Sequence, residues 1–216
     1  MESVARGGTR WKRFALVMVP SVAATAAIGI GMAQGALAAS FSISGQEFKV
    51  EAQKLEGTGF VQYGSVASGK TLEGKSFTEP VAVSGFKEAY ITKMCQSVVT
   101  PLPFGMGNVS LELTAGTDGD KDKNKRVYAK DLYLDVSQLD ADATFEDIDI
   151  GVAAGSLKNP GIQPGTQANP NGFSQRARSA ELTDVKQKAW ATTAGTFKLP
   201  GLKLRLHKGT KECFAG

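Results

Sequence analysis

The sequence predicts an all-β fold, predominantly antiparallel, arranged as a β-sandwich or a curved two-layer sheet after an N-terminal hydrophobic helix. Three observations carry this expectation. Beyond residue 40, apolar residues alternate with polar ones far more often than they recur at the 3.6-residue period of a helix. The 216 residues include 25 Gly and 8 Pro, which suits frequent turns. Only residues 185–193 can be argued as a short helix, and Thr192, Thr193 and Gly195 count against it.

The first element is a leader, residues 1–38. Arg6, Arg10, Lys12 and Arg13 precede Phe14–Met32, nineteen residues without a charge. Ala36 and Ala38 offer the small-residue pattern that a signal peptidase requires, so cleavage is expected between Ala38 and Ala39. The alternative is an uncleaved anchor, since nineteen residues of helix span about 28 Å, close to the hydrocarbon thickness. Pro20 and the cleavage pattern favour removal, and membrane association through residues 14–32 follows if it fails. Either fate sends residues 39–216 across the membrane, because the positive flank stays inside. The body is then a single exported β-rich domain, extracellular or attached to the outer face of the cytoplasmic membrane. Of the formal charge of +4, +3 sits in residues 1–38. The remaining +1 gives no phosphate-neutralising excess, so nucleic acid is not an expected partner.

Strands are expected at Phe48–Ala52, Gly59–Tyr63, Pro80–Ser84, Ala89–Val99, Val109–Thr114, Leu132–Val136, Ala143–Val152, Leu182–Ala189, Thr196–Leu199 and Leu202–His207. Turns at Gly57-Thr58-Gly59, Gly69, Gly74, Gly105-Met106-Gly107 and Pro200-Gly201 separate them. Residues 117–126 read as a charged tip, and 155–174, rich in Gly, Pro and Asn, as a long flexible loop. An echo of Ala-x-apolar-x-x-apolar recurs at Ala89/Ile91/Met94, Ala143/Phe145/Ile148 and Ala180/Leu182/Val185. Its spacings, 54 and 37 residues, are unequal. A β-solenoid, which wants a constant period, is therefore the alternative fold.

Export changes how the two cysteines read. An even count in an oxidising compartment favours a Cys95–Cys213 disulfide, with free thiols as the alternative. Other motifs weigh less. Gly64–Thr71 satisfies the phosphate-loop pattern G-x-x-x-x-G-K-[ST], but Glu73, Gly74 and Pro80 follow where a helix is needed, so a hairpin is expected. Asp118, Asp120, Asp122 and Asn124 begin like a calcium loop, yet Lys123 and Ala129 stand where a turn-making Gly and a bidentate Glu belong. Asp140, Asp142, Glu146, Asp147 and Asp149 read as the wet face of a strand. The single imidazole, His207, is the only general base a Ser–His site could use, and no G-x-S-x-G elbow occurs. Ser84-Gly-Phe-Lys87 matches S-x-x-K without the companion motifs of that chemistry. No cofactor is expected, and no metal, since one His and two paired Cys leave zinc short of ligands.

Several long phrases carry a resemblance. They are Arg6–Phe14, Ala33–Ser40, Met94-Cys-Gln-Ser-Val98, Ala143–Gly151 and Ala189–Phe197. Together they resemble a group of actinobacterial exported proteins of the Streptomyces type that often carry the automatic name "cholesterol esterase". The resemblance implies a sterol-ester hydrolase and brings no assigned catalytic residue with it. From the residues themselves, the leading expectation is a non-catalytic domain of the cell envelope that binds lipid or a protein partner, or serves a structural role. The alternative is a lipid-ester hydrolase using His207 with Ser84, Ser97 or Ser174. The oligomeric state is left open.

Overall fold

The computed structural model describes residues 43–117 and 122–215. The leader, with residues 14–32, Ala36, Ala38 and Ala39, lies outside the described residues, as do Asp118 and Asp120. The described residues form ten strands: β1 (Ile43–Ser44), β2 (Phe48–Lys70), β3 (Ser76–Thr92), β4 (Met94–Pro101), β5 (Asn108–Ala115), β6 (Val127–Glu146), β7 (Asp149–Ala153), β8 (Phe173–Thr193), β9 (Thr196–Lys198) and β10 (Lys203–Lys208). All pairings are antiparallel except the short β1–β2 contact. The all-β expectation holds, and the sheet curves until it closes on itself. The order β10-β5-β4-β2-β3-β6-β8-β7 is joined by an additional β2–β8 pairing. Strands β2, β3, β6 and β8 thus form a closed four-stranded barrel, with β4, β5 and β10 as a flange on one side.

Closure with only four strands requires strong stagger. Gly64 pairs with Ala82, Ala82 with Val136, Val136 with Ala189, and Ala189 with Phe48. One circuit therefore returns to β2 a long way upstream of its start. The strands tilt steeply and wind around the lumen, which is why they run for 17 to 23 residues.

Such winding needs bends, and these are built from residues with left-handed backbone. Lys93 (φ 50°), Asp131 (φ 51°) and Asp184 (φ 51°) each interrupt a run of core residues. Before each one the odd or even positions face inward; after it the other set does, as with Val127 and Ala129 before Asp131, and Leu132 and Leu134 after it. The interruptions line up across the sheet. Lys93 and Asp184 lie opposite Gln53 on its two sides. Gly59 (φ +63°) and Asp131 lie opposite Lys87 in the same way. These two creases turn the sheet, as bulges do at barrel corners. They also explain the sequence echo. In Ile91-Thr-Lys93-Met94, Phe145-Glu-Asp147-Ile148 and Leu182-Thr-Asp184-Val185, the residue before the final apolar one has positive φ, Asp147 included. The pattern marks creases in a barrel, and no stacked rungs are present among the described residues.

Two expected turns are corrected. Gly57-Thr58-Gly59 and Gly69 lie inside β2. A Cβ on Gly57 would stand 2.2 Å from Cδ1 of Phe86, so glycine is there to admit that ring. Gly59 sits on a crease. Gly74, Gly105, Gly107 and Gly201 do occupy connections, each with positive φ. The 155–174 segment, expected to be flexible, is tied down. Tyr133 donates its hydroxyl to Gly161 O at 3.2 Å, and Gln163 N donates to the Tyr63 hydroxyl at 2.8 Å. Its apolar residues Leu157, Ile162 and Ala168 cover a second core cluster of Val61, Tyr63, Val81, Val83 and Ala191 on the outside of the barrel.

Candidate functional site

A first core cluster, which includes Leu55, Phe60, Phe86, Leu132, Leu134, Leu182 and Val185, fills most of the barrel interior but not all of it. A cavity of about 150 Å³ remains between the four strands. β2 supplies Leu55, Phe60 and Gln62; β3 supplies Ser84 and Phe86; β8 supplies Leu182, Val185 and Gln187. The remaining wall is the distal half of β6, where Leu139, Ala141, Ala143 and Phe145 point inward between the exposed Asp140, Asp142, Thr144 and Glu146. The acidic run is thus the wet face the sequence predicts, and its apolar alternates line the lumen. β3 pairs with β6 only as far as Ala82–Val136, so this part of β6 is bonded to β8 alone. The lumen opens along that seam.

Its polar content is small and neutral. Gln62 Nε2 donates to Ser84 Oγ at 2.9 Å, and Gln175 Nε2 donates to Gln62 Oε1 at 2.6 Å. Phe60 contacts Phe86 and Phe145, with ring centroids 5.3 and 5.0 Å apart. A wall of Leu, Val, Ala and Phe with one amide–hydroxyl pair and the Gln187 amide can hold an apolar group and orient a polar atom beside it. It offers no acid, base or activated nucleophile.

The residues a hydrolase would need are not brought together. His207 lies on β10 in the flange, its Nε2 2.9 Å from Glu112 Oε2, with Lys211 Nζ 3.1 Å from the same oxygen. The hydrogen bonds from Lys211 and His207 hold the Glu112 carboxyl below its usual value. Ser84 is in the barrel wall; Ser97 Oγ accepts from Cys213 N at 3.0 Å; Ser174 Oγ donates to Val152 O at 2.8 Å. Gly64–Lys70 is strand, and no helix follows Thr71. Asp122 caps the turn 123–125 through Asn124 N. Among the described residues no cluster of His, Cys, Asp or Glu could hold a metal ion. Cys95 and Cys213 do meet, with sulfurs 1.99 Å apart and Cα atoms 5.9 Å apart.

An outer groove near the crease carries a cluster of ion pairs. Lys54 Nζ bridges Glu56 at 3.1 Å and Glu181 at 3.2 Å, while Arg126, packed over the Tyr90 ring, also binds Glu56. Burial works against the Glu56 carboxylate, but hydrogen bonds from Arg126 and Lys54 outweigh it and keep its pKa low. Sequence reasoning could not have joined residues so far apart.

The profile of a family of unknown function, DUF6230, matches residues 44–214, which span the whole barrel and flange. The chain belongs to DUF6230. The match includes every lumen residue, His207 and both cysteines, so the barrel and its disulfide lie within the stretch that defines the family. Comparison with curated proteins and with solved structures finds no match.

Proposed function

We propose that this DUF6230 domain is an exported, non-catalytic component of the cell envelope that takes an acyl-chain segment into its barrel lumen. One observation carries the proposal: an apolar cavity whose mouth is the unpaired flank of β6, lined by Leu139, Ala141, Ala143 and Phe145. A dry cavity of about 150 Å³ suffices for a benzene-sized group, whereas pockets for whole drug-sized ligands run to roughly 300–1,000 Å³. A chain end fits; a four-ring sterol does not. Support for export comes from the leader pattern ending at Ala38 and from a cysteine pair at bonding distance, which suits an oxidising compartment. The sterol-ester hydrolase suggested by resemblance gains little from a His207 that faces Glu112 and from serine hydroxyls engaged elsewhere.

The test is uptake of a fluorescent polyene fatty acid by purified residues 39–216, beside Ala141→Phe, which fills the lumen, and Leu139→Trp at its mouth. Saturable binding, weakened at least roughly tenfold in both variants with melting temperature retained, is the expected outcome. Absence of uptake, or equal uptake by both variants, overturns the reading. Cholesteryl-ester turnover lost in His207→Ala replaces it with the hydrolase.

A further inference from the structure

The flange carries a second surface that the lumen does not use. In β4, β5 and β10, register partners share a face, so Val98, Leu111 and Leu206 lie on one side, with Leu113 and Leu204 beside them. That face leaves the core by degrees. Leu113 packs against the first core cluster and Leu111 is half-buried, while Leu204 and Leu206 are 58% and 69% exposed. The opposite face is covered by the C-terminal tail, through Lys211 on Glu112, Cys213 N on Ser97 and the Cys95–Cys213 disulfide. At the tip of the β4–β5 hairpin, Leu102, Phe104 and Met106 are also exposed, Phe104 at 96% and Met106 at 60%. Phe104 has φ 59°, a conformation that favours glycine over an aromatic residue. An aromatic side chain held there and wholly exposed returns no packing energy to the fold, and unfavourable backbone of this kind clusters at binding sites.

Charge identifies what the surface fits. From residue 94 to 117 and from 196 to 215 the acids are Glu112 and Glu212, against Lys198, Lys203, Arg205, Lys208 and Lys211. Both acids are already paired, Glu112 with His207 and Lys211, Glu212 with Lys49. On β10 the exposed Lys208 shares the face of Leu204 and Leu206 and pairs with Val109 at the end of the strand nearest the hairpin, while Lys203 and Arg205, also exposed, lie on the opposite face with their partners Thr114 and Glu112. Exposed aliphatic and aromatic residues at a tip, with a basic side chain beside it and two more on the edge strand whose stems can lie along apolar surface, match a bilayer interface with anionic headgroups.

We propose that the flange docks on an anionic lipid bilayer, with Phe104 and Met106 entering the acyl boundary, Lys208 contacting lipid phosphates beside the hairpin, and Lys203 and Arg205 on the other face adding longer-range attraction. Docking is independent of whether the lumen is occupied. The described part of residues 39–216 is a compact unit with its own core, so this fragment is the material for the test. It is floated with vesicles of phosphatidylcholine alone and of phosphatidylcholine with phosphatidylglycerol. The expected result is flotation with the anionic vesicles, reduced at least roughly tenfold in Phe104→Ser/Met106→Ser and by high salt. Both serines replace exposed residues, and fatty-acid uptake by the lumen is unchanged, which separates this docking from the lumen proposal. Phe104→Trp adds a second readout, a blue shift in emission beyond that of the parent protein on the same vesicles. Wild-type protein that stays unbound, a serine variant that floats equally well, or a Phe104→Trp variant whose emission does not move overturns the proposal. So does a larger species in solution that the serine substitutions abolish without any flotation, which makes the surface a contact between copies of the chain.

Discussion

Asp135 is the clearest single-residue conflict in the molecule. Its register partners on β6's two sides are Val83 and Ala191, both buried in the second core cluster, so its carboxyl faces the same apolar layer. Burial raises its pKa above 3.8. Between the unfolded and folded values the folded state holds the extra proton, so stability falls as pH rises through that interval and stays lower above it. Asp135→Asn is therefore expected to raise the melting temperature at pH 7 and to remove that part of the pH dependence just above pH 3.8; a lower melting temperature at pH 7 shows that the carboxylate has a stabilising partner. At this scale the sequence is only partly legible. It marks Cys95, Cys213 and His207 as the residues whose chemistry matters, because they are few. It is silent on Leu139, Ala141, Ala143 and Phe145, whose role depends on a missing neighbour strand. Their alternation with acids is visible, but alternation alone does not distinguish a wall against packed core from a wall against empty space.

Among the elements, the strands are longer than the sequence suggests, and the creases are the reason. β2 contains two expected strands, and Gly57 and Gly59 between them carry the composition of a turn. β3 and β4 share a single register with β2 and are divided only by Lys93. At Gly59 the crease breaks the period-2 pattern, so the continuous β2 looks like two short strands, whereas Ala89–Val99 and Leu182–Ala189 are expected as single strands straight across the creases at Lys93 and Asp184. Val109–Thr114, by contrast, lies within β5 and was legible as it stands, because no crease interrupts it. The C-terminal tail is the other element whose attachment can be tested. Its disulfide closes a separation of 118 residues, for which chain entropy gives about 4–5 kcal/mol of stabilisation. Cys95→Ser is expected to lower stability by up to that amount and to expose residues 209–216 to exopeptidase. Retained protection of the tail instead shows that the Lys49–Glu212 and Lys211–Glu112 contacts hold it unaided.

For the whole molecule, the fold class was legible and the closure was not. Alternation and turn chemistry point to an antiparallel β-sandwich or a curved two-layer sheet, whereas the β2–β8 pairing that closes the barrel joins residues 48–63 to 174–189, beyond the reach of any local pattern. The proposed export is tested on the whole chain. Intact mass of protein recovered from outside the producing cells is expected to begin at Ala39; a mass that retains Met1 establishes residues 14–32 as an anchor. The late closing partner also fixes an order of events. A ribosome making this chain releases β2 long before β8, and contacts so distant in sequence form slowly because a long loop must first be closed. Throughout most of its synthesis the polypeptide can form its local hairpins, β2–β3 and β4–β5, but no complete barrel, which waits for β8 in about the last fifth of its residues.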